Sequence, residues 1–152
     1  MTPLTKEDIL ALIPQRSPFR FIDEIIEMSE DGIVASYTYK ENESFYAGHF
    51  PGNPVTPGVI LLETMAQTGV VAYGIYLASF QMSREEIQKI LTFFTEAEVE
   101  FSGIVRPGDR VLIYAKKIYF RRLKLKVEAE IVLENGDRVC SGTIAGMGVK
   151  SE

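Results

Sequence analysis

Hydrophobic and polar positions alternate along most of this chain, and one long stretch breaks the rule. Leu123, Leu125, Val127, Ala129, Ile131 and Leu133 form a period-two row, with Lys124, Lys126, Glu128 and Glu130 facing the other way. Glu96, Glu98 and Glu100 alternate with Ala97, Val99 and Phe101 in the same manner. Val111 to Phe120 and Arg138 to Gly148 also read as strands, entered from Pro107-Gly108-Asp109 and from a type I′ hairpin signal at Asn135-Gly136. Upstream, Phe19 to Met28 and Ile33 to Lys40 read as a hairpin about Asp31-Gly32. Thr5, with Asp8 three residues on, predicts the start of a short helix that Pro14 ends. Ser83 and Glu86 form a capping-box pattern for a linker helix.

Val59 to Phe80 is different, being apolar almost all round. Thr56 is the expected cap and Pro57 suits the first helical position. The stretch is long enough to raise the question of a membrane span. Glu63 and Gln67 inside it, and strands elsewhere, favour a helix enclosed by protein. Gly69 and Gly74 lower its helix propensity and suggest close approach of another backbone. Six strands with one apolar face satisfy such a helix by wrapping around it. The expectation is an α+β hotdog fold: a six-stranded, mostly antiparallel sheet around one central helix, with residues 1–152 as a single domain.

Composition narrows the function. A net charge of -5 disfavours a general nucleic-acid binder. The one cysteine, Cys140, permits no internal disulfide and reads as a packed thiol, in keeping with a cytoplasmic setting. The first residues, MTPLTKEDIL, lack a signal-peptide pattern.

Between the second strand and the apolar helix lies a Pro/Gly-rich segment, with Pro51, Pro54 and Pro57 at every third position and Gly48, Gly52 and Gly58 around them. Regular structure is disfavoured there, and a rigid loop of this kind suits functional residues. It carries His49, the only histidine. Glu63 sits where an unpaired charge is expensive. Either alone is most simply a surface residue or a satisfied core group. Together they are two titratable groups in unusual settings.

The stretch His49-Phe50-Pro51-Gly52-Asn53-Pro54-Val55-Thr56-Pro57-Gly58-Val59-Ile60-Leu61-Leu62-Glu63 resembles the signature of the FabZ-type 3-hydroxyacyl-acyl-carrier-protein dehydratases. Gln15 to Asp23 is similar to that family's opening motif, although histidine usually stands where Gln15 is. Arg106-Pro107-Gly108-Asp109 matches its later turn. The resemblance runs over roughly residues 9 to 148, and the family fold is the hotdog.

The resemblance implies His49 as base and Glu63 as acid, drawn from different subunits of a homodimer. It implies that the Val55 carbonyl orients His49 and that the Gly58 N–H binds the thioester oxygen. Both ideas suit the chemistry. A neutral imidazole can accept a proton, and the first N–H groups of a helix lack partners. Glu63 follows Gly58 by five residues, about 7–8 Å along a helix, and apolar surroundings favour its protonated form. Gln67, one turn on, either supports Glu63 by a hydrogen bond or simply packs. Phe93 and Phe94, with Phe50 on the loop, either line the acyl tunnel or belong to the core.

No metal and no organic cofactor is called for. The implied partner is acyl carrier protein bearing the substrate, and dimers in the family commonly assemble into trimers of dimers. Lys116, Lys117, Arg121, Arg122, Lys124 and Lys126, with no acidic residue among them, either steer that acidic partner or form a solvated hairpin end. A hotdog thioesterase, a non-catalytic acyl-binding module and a coenzyme A hydratase are the competing readings. Glutamate rather than aspartate at position 63 predicts dehydration without isomerisation.

Overall fold

A computed structural model describes residues 3–151. It opens on α1 (Lys6–Leu12), capped by Thr5, whose hydroxyl accepts the Asp8 N–H while the Asp8 carboxylate accepts the Thr5 N–H. The other end is closed by two arginines. Arg20 donates to the Leu10 carbonyl at 2.7 Å and Arg16 to that of Ala11 at 3.1 Å, satisfying groups the helix cannot.

The strands are β1 (Glu24–Met28), β2 (Gly32–Thr38), β3 (Ile90–Phe101), β4 (Arg110–Arg121), β5 (Lys124–Leu133) and β6 (Arg138–Lys150). They form one antiparallel sheet in the order β1-β2-β4-β5-β6-β3. The period-two row of β5 turns Leu125, Val127, Ala129 and Ile131 inward, all buried against the central helix. This is the hotdog arrangement the pattern predicts.

The central helix runs from Gly58 to Ala78, and 61% of its most apolar window is buried within the protein. The sheet supplies the apolar surroundings that a membrane would otherwise provide. It is not one regular helix. α2 (Gly58–Ala66) passes through a π-helical turn, Gln67–Ala72, into α3 (Tyr73–Ala78). A helix apolar on every side carries no periodicity that could announce an inserted residue. Ser83 caps α4 (Arg84–Ile87) as its pattern foretold.

Several expectations are corrected. The first strand starts at Glu24, not Phe19, because the Phe21 N–H bonds to the Gln67 side chain instead of a neighbouring strand. Thr56 does not cap α2. Pro57 holds the cap position, and the Thr56 hydroxyl lies 2.6 Å from that of Tyr46. Asn135-Gly136 is not a type I′ turn: only Gly136 has positive φ (95°), and its N–H bonds back to Leu133, which makes a three-residue loop with a glycine bulge. The turn with positive φ at both central residues lies elsewhere, at Arg122 (50°) and Leu123 (65°), so Leu123 leaves the strand row. Cys140 is fully buried, 3.9 Å from the Met65 sulfur, and burial pushes its thiol up to about 12.

Candidate active site

The loop before α2 is held from several sides. The Val55 N–H donates to the His49 carbonyl at 2.8 Å, and the Thr56 N–H to that of Val105 at 2.9 Å. Asn53 donates to the Phe50 carbonyl at 2.9 Å, and Gly52 sits at φ +74°, where a side chain would be strained. The Arg106–Asp109 turn buttresses the loop from outside: Arg106 reaches Asn53 Oδ1 at 3.4 Å while its own N–H is held by Asp109.

Within this frame His49 is half-buried, and its Nδ1 lies 2.8 Å from the Val55 carbonyl oxygen. A carbonyl only accepts, so Nδ1 carries the proton and Nε2 of the neutral ring is left with a free lone pair. Val55 therefore grips His49 twice, through its N–H and through its C=O. The Phe50 ring stacks on the imidazole with centroids 4.3 Å apart.

Gly58 opens α2, and no side chain caps the helix there. Its N–H is among those an α-helix leaves unpaired, at the positive end of the dipole. A Cβ at Gly58 would meet the Phe101 ring at 3.4 Å, an ordinary van der Waals contact, so the packing there tolerates a small side chain.

Glu63 is half-buried one and a half turns along, and desolvation raises its pKa above the usual carboxylate value. A hydrogen bond from Gln67 Nε2 to Glu63 Oε2, 2.9 Å long, partly offsets the rise. Gln67 is itself fully buried, and every part of its amide is engaged. Oε1 accepts the Phe21 N–H at 2.7 Å, and Nε2 donates a second time, to the Phe19 carbonyl at 3.1 Å. The opening motif thus reaches Glu63 through Gln67, a role for residues 19 to 21 that no sequence pattern announces. A strand-like apolar run does not reveal that its backbone will meet an amide.

Phe50, Phe93 and Phe94 are about half exposed. A cavity beside the second half of the central helix is walled by other residues, among them Val71, Gly74, Leu91, Leu123 and Leu125. The basic run also divides. Lys126 pairs with Glu96 at 3.3 Å, Lys116 stands opposite Glu128, and Arg121, Arg122 and Lys124 cluster at the hairpin tip.

Taken together, the molecule is a hotdog domain in which the loop leading into the central helix fixes an imidazole and the helix carries a desolvated carboxyl. Residues 13–143 match the model of the FabA-like domain, and the chain belongs to that family. Among its relatives is a 3-hydroxyacyl-[acyl-carrier-protein] dehydratase FabZ of Caldicellulosiruptor saccharolyticus, 39% identical, covering 90% of this chain and 92% of the relative. The enzyme of the same name from Streptococcus agalactiae is 37% identical, covering 91% and 93%. Among solved structures, the dehydratase heterocomplex ApeI:P of Xenorhabdus doucetiae superposes with a TM-score of 0.77 at 14% identity, covering 99% of this chain and 93% of that one. A Haemophilus influenzae thioesterase gives 0.66 at 18% identity, covering 98% and 93%. These last two report on the fold alone.

Proposed function

We propose that the chain is a 3-hydroxyacyl-[acyl-carrier-protein] dehydratase of fatty-acid synthesis, with His49 as base and Glu63 as acid. The observation that carries the proposal is the contrast between the two groups. One is an imidazole whose Nδ1–H is committed to the Val55 carbonyl, which leaves Nε2 as its proton-accepting nitrogen, and the other is a carboxyl that burial keeps protonated more readily than usual. Nε2 of His49 removes a proton from the carbon beside the thioester carbonyl. The Gly58 N–H and the helix dipole stabilise the charge that develops on the carbonyl oxygen. The electron pair forms the C=C bond as the C–O bond to the 3-hydroxyl breaks. Glu63 gives its proton to that oxygen, which leaves as water. Proton exchange with solvent then resets both groups.

The working unit is a homodimer in which each site draws on both copies, as the family resemblance implies. The sheet supports this reading. β3 is an edge strand of twelve residues, and Leu91, Phe93, Phe94 and Phe101 on it are 41–51% exposed. Val59, in the first turn of α2, is 73% exposed. An edge strand with exposed apolar side chains invites pairing with another chain, and a two-fold contact closes it. The lone buried thiol accords with a cytoplasmic enzyme.

The test is a direct assay of the purified protein with a 3-hydroxyacyl thioester on carrier protein and on coenzyme A. The 2-enoyl and free-acid products are followed together. Enoyl product that disappears in His49→Ala and collapses in Glu63→Gln supports the proposal. Free acid alone assigns the chain to the thioesterases, and binding without turnover makes it a non-catalytic acyl-binding module.

A further inference from the structure

Two side chains meet at the base of the loop that carries His49. Tyr46 stands before the loop and Thr56 ends it, ten residues later, and their hydroxyl oxygens lie 2.6 Å apart. Both residues are buried, at 5% and 4% exposure. Two apolar groups of the same shape would fill that space without the cost of desolvating hydroxyls. A satisfied polar pair adds direction, because it holds two segments in one fixed arrangement.

The segment held here is the Val55–Thr56 peptide. It is planar and trans, so its C=O and N–H point in opposite directions. The Thr56 N–H donates to the Val105 carbonyl at 2.9 Å, and the Val55 carbonyl on the other side accepts the His49 Nδ1–H at 2.8 Å. Turning this one plane would break both bonds. The Thr56 side chain, on the Cα that ends the plane, is tied to Tyr46. Tyr46 also meets the histidine from the other direction, since its carbonyl accepts the His49 N–H at 3.3 Å. Its ring packs edge-on against Phe45 within the core, with centroids 4.7 Å apart, which fixes the phenol from behind.

We propose that the Tyr46–Thr56 hydroxyl pair is a positioning clasp for the base: it keeps the Val55 carbonyl on Nδ1 of His49 and so keeps Nε2 as the nitrogen that takes the substrate proton, a role that rests on the dehydratase reading. Without the clasp the Val55–Thr56 plane is freer to turn. Nδ1 then loses its fixed acceptor, and the ring divides its time between two tautomers.

Tyr46→Phe and Thr56→Val each delete one hydroxyl and keep the shape of the side chain. Thr56→Ser keeps the hydroxyl and gives up a methyl. Because His49 is the only histidine, heteronuclear NMR reads its two ring nitrogens directly, at alkaline pH where an imidazole is uncharged. The wild type should show one protonated and one bare nitrogen. In Tyr46→Phe and Thr56→Val the two resonances should draw together as the tautomers mix. In the same variants kcat for a 3-hydroxyacyl-pantetheine thioester should fall about tenfold with KM little changed. Thr56→Ser should keep the wild-type nitrogens and recover most of the rate that valine loses. Tyr39→Phe controls for lost stability alone: it breaks a second buried pair, Tyr39 with Thr64 at 2.5 Å, and should leave the His49 nitrogens in place. A wild-type ring already divided between tautomers overturns the proposal, as do unmoved nitrogens in a folded Tyr46→Phe or Thr56→Val. Moved nitrogens with an undiminished kcat overturn it too, and so does equal movement in Tyr39→Phe or a serine variant that behaves as the valine. If one hydroxyl deletion prevents folding, the other carries the test. If the wild type dehydrates no thioester, the dehydratase reading fails separately, and the ring nitrogens alone decide the clasp.

Discussion

Replacing Gln67 by leucine tests the link between the opening segment and Glu63. The side chains are similar in size, so packing is roughly kept while three hydrogen bonds are lost. The Phe21 N–H, on a residue with no exposed surface, is orphaned in the interior. That costs about 1–3 kcal/mol. The Phe19 carbonyl belongs to a half-exposed residue and can turn to water, so its loss adds less. A total of about 2–4 kcal/mol corresponds to a fall in Tm of roughly 5–15 °C for a chain of this size. The third lost bond is the one to Glu63. Without the Gln67 donor, desolvation acts on that carboxyl unopposed and its pKa rises further. An acid works while protonated, so the rate falls as pH climbs through its pKa. The alkaline limb that reports Glu63 should therefore move to higher pH. A carboxyl no longer held in place should also lower kcat about 10- to 100-fold. Thermal unfolding and a kcat–pH profile of the purified variant read both effects. A folded protein with unchanged Tm and an unmoved limb would show that Gln67 merely fills space.

Other perturbations separate the remaining roles. Gly58→Pro deletes the first N–H of α2 at a position where proline is welcome, and Pro57, with φ -59° and ψ 142°, already has the backbone that precedes a proline. Turnover should fall about 100-fold or more, whereas Gly58→Ala, which keeps the N–H, should stay active; equal activity in a folded proline variant removes the oxyanion role. Glu63→Gln should abolish most turnover yet raise Tm at neutral pH. The native carboxyl has a raised folded-state pKa, so its relative stability is fullest at acid pH and is lost as pH rises through that value. The Tm gain should accordingly vanish toward acid pH, and a gain equal at all pH values contradicts the desolvation account. Arg122→Gly should stabilise the protein by up to about 1 kcal/mol, because only glycine adopts positive φ without steric cost. Urea unfolding measures it, and a loss of stability would mean that the Arg122 side chain contributes more than the turn costs.

Local chemistry reached far in this chain. Period-two rows, two capping boxes and the breaks at proline and glycine fix strands and helix ends through contacts a few residues apart, which a linear reading contains. The same holds for His49: its partner Val55 is six residues away on the same stiff loop, and Glu63 lies one and a half turns into the helix that loop starts. The fold class follows because an apolar helix among amphipathic strands has few ways to be covered.

Other features depend on distant residues meeting. Phe19 to Asp23 has the composition of a strand, but Gln67, on the central helix, takes the hydrogen bond a strand partner would have used. The π turn at Gln67–Ala72 leaves no trace where every side of a helix is apolar. Gly69 and Gly74 are indistinguishable in sequence, and only the sheet decides that one is crowded and the other opens onto a cavity. Burial, which raises the Glu63 pKa, is a property of the assembled surroundings: charge and hydrogen-bond energies depend on which groups exclude water, and that is settled only when the chain has closed around them.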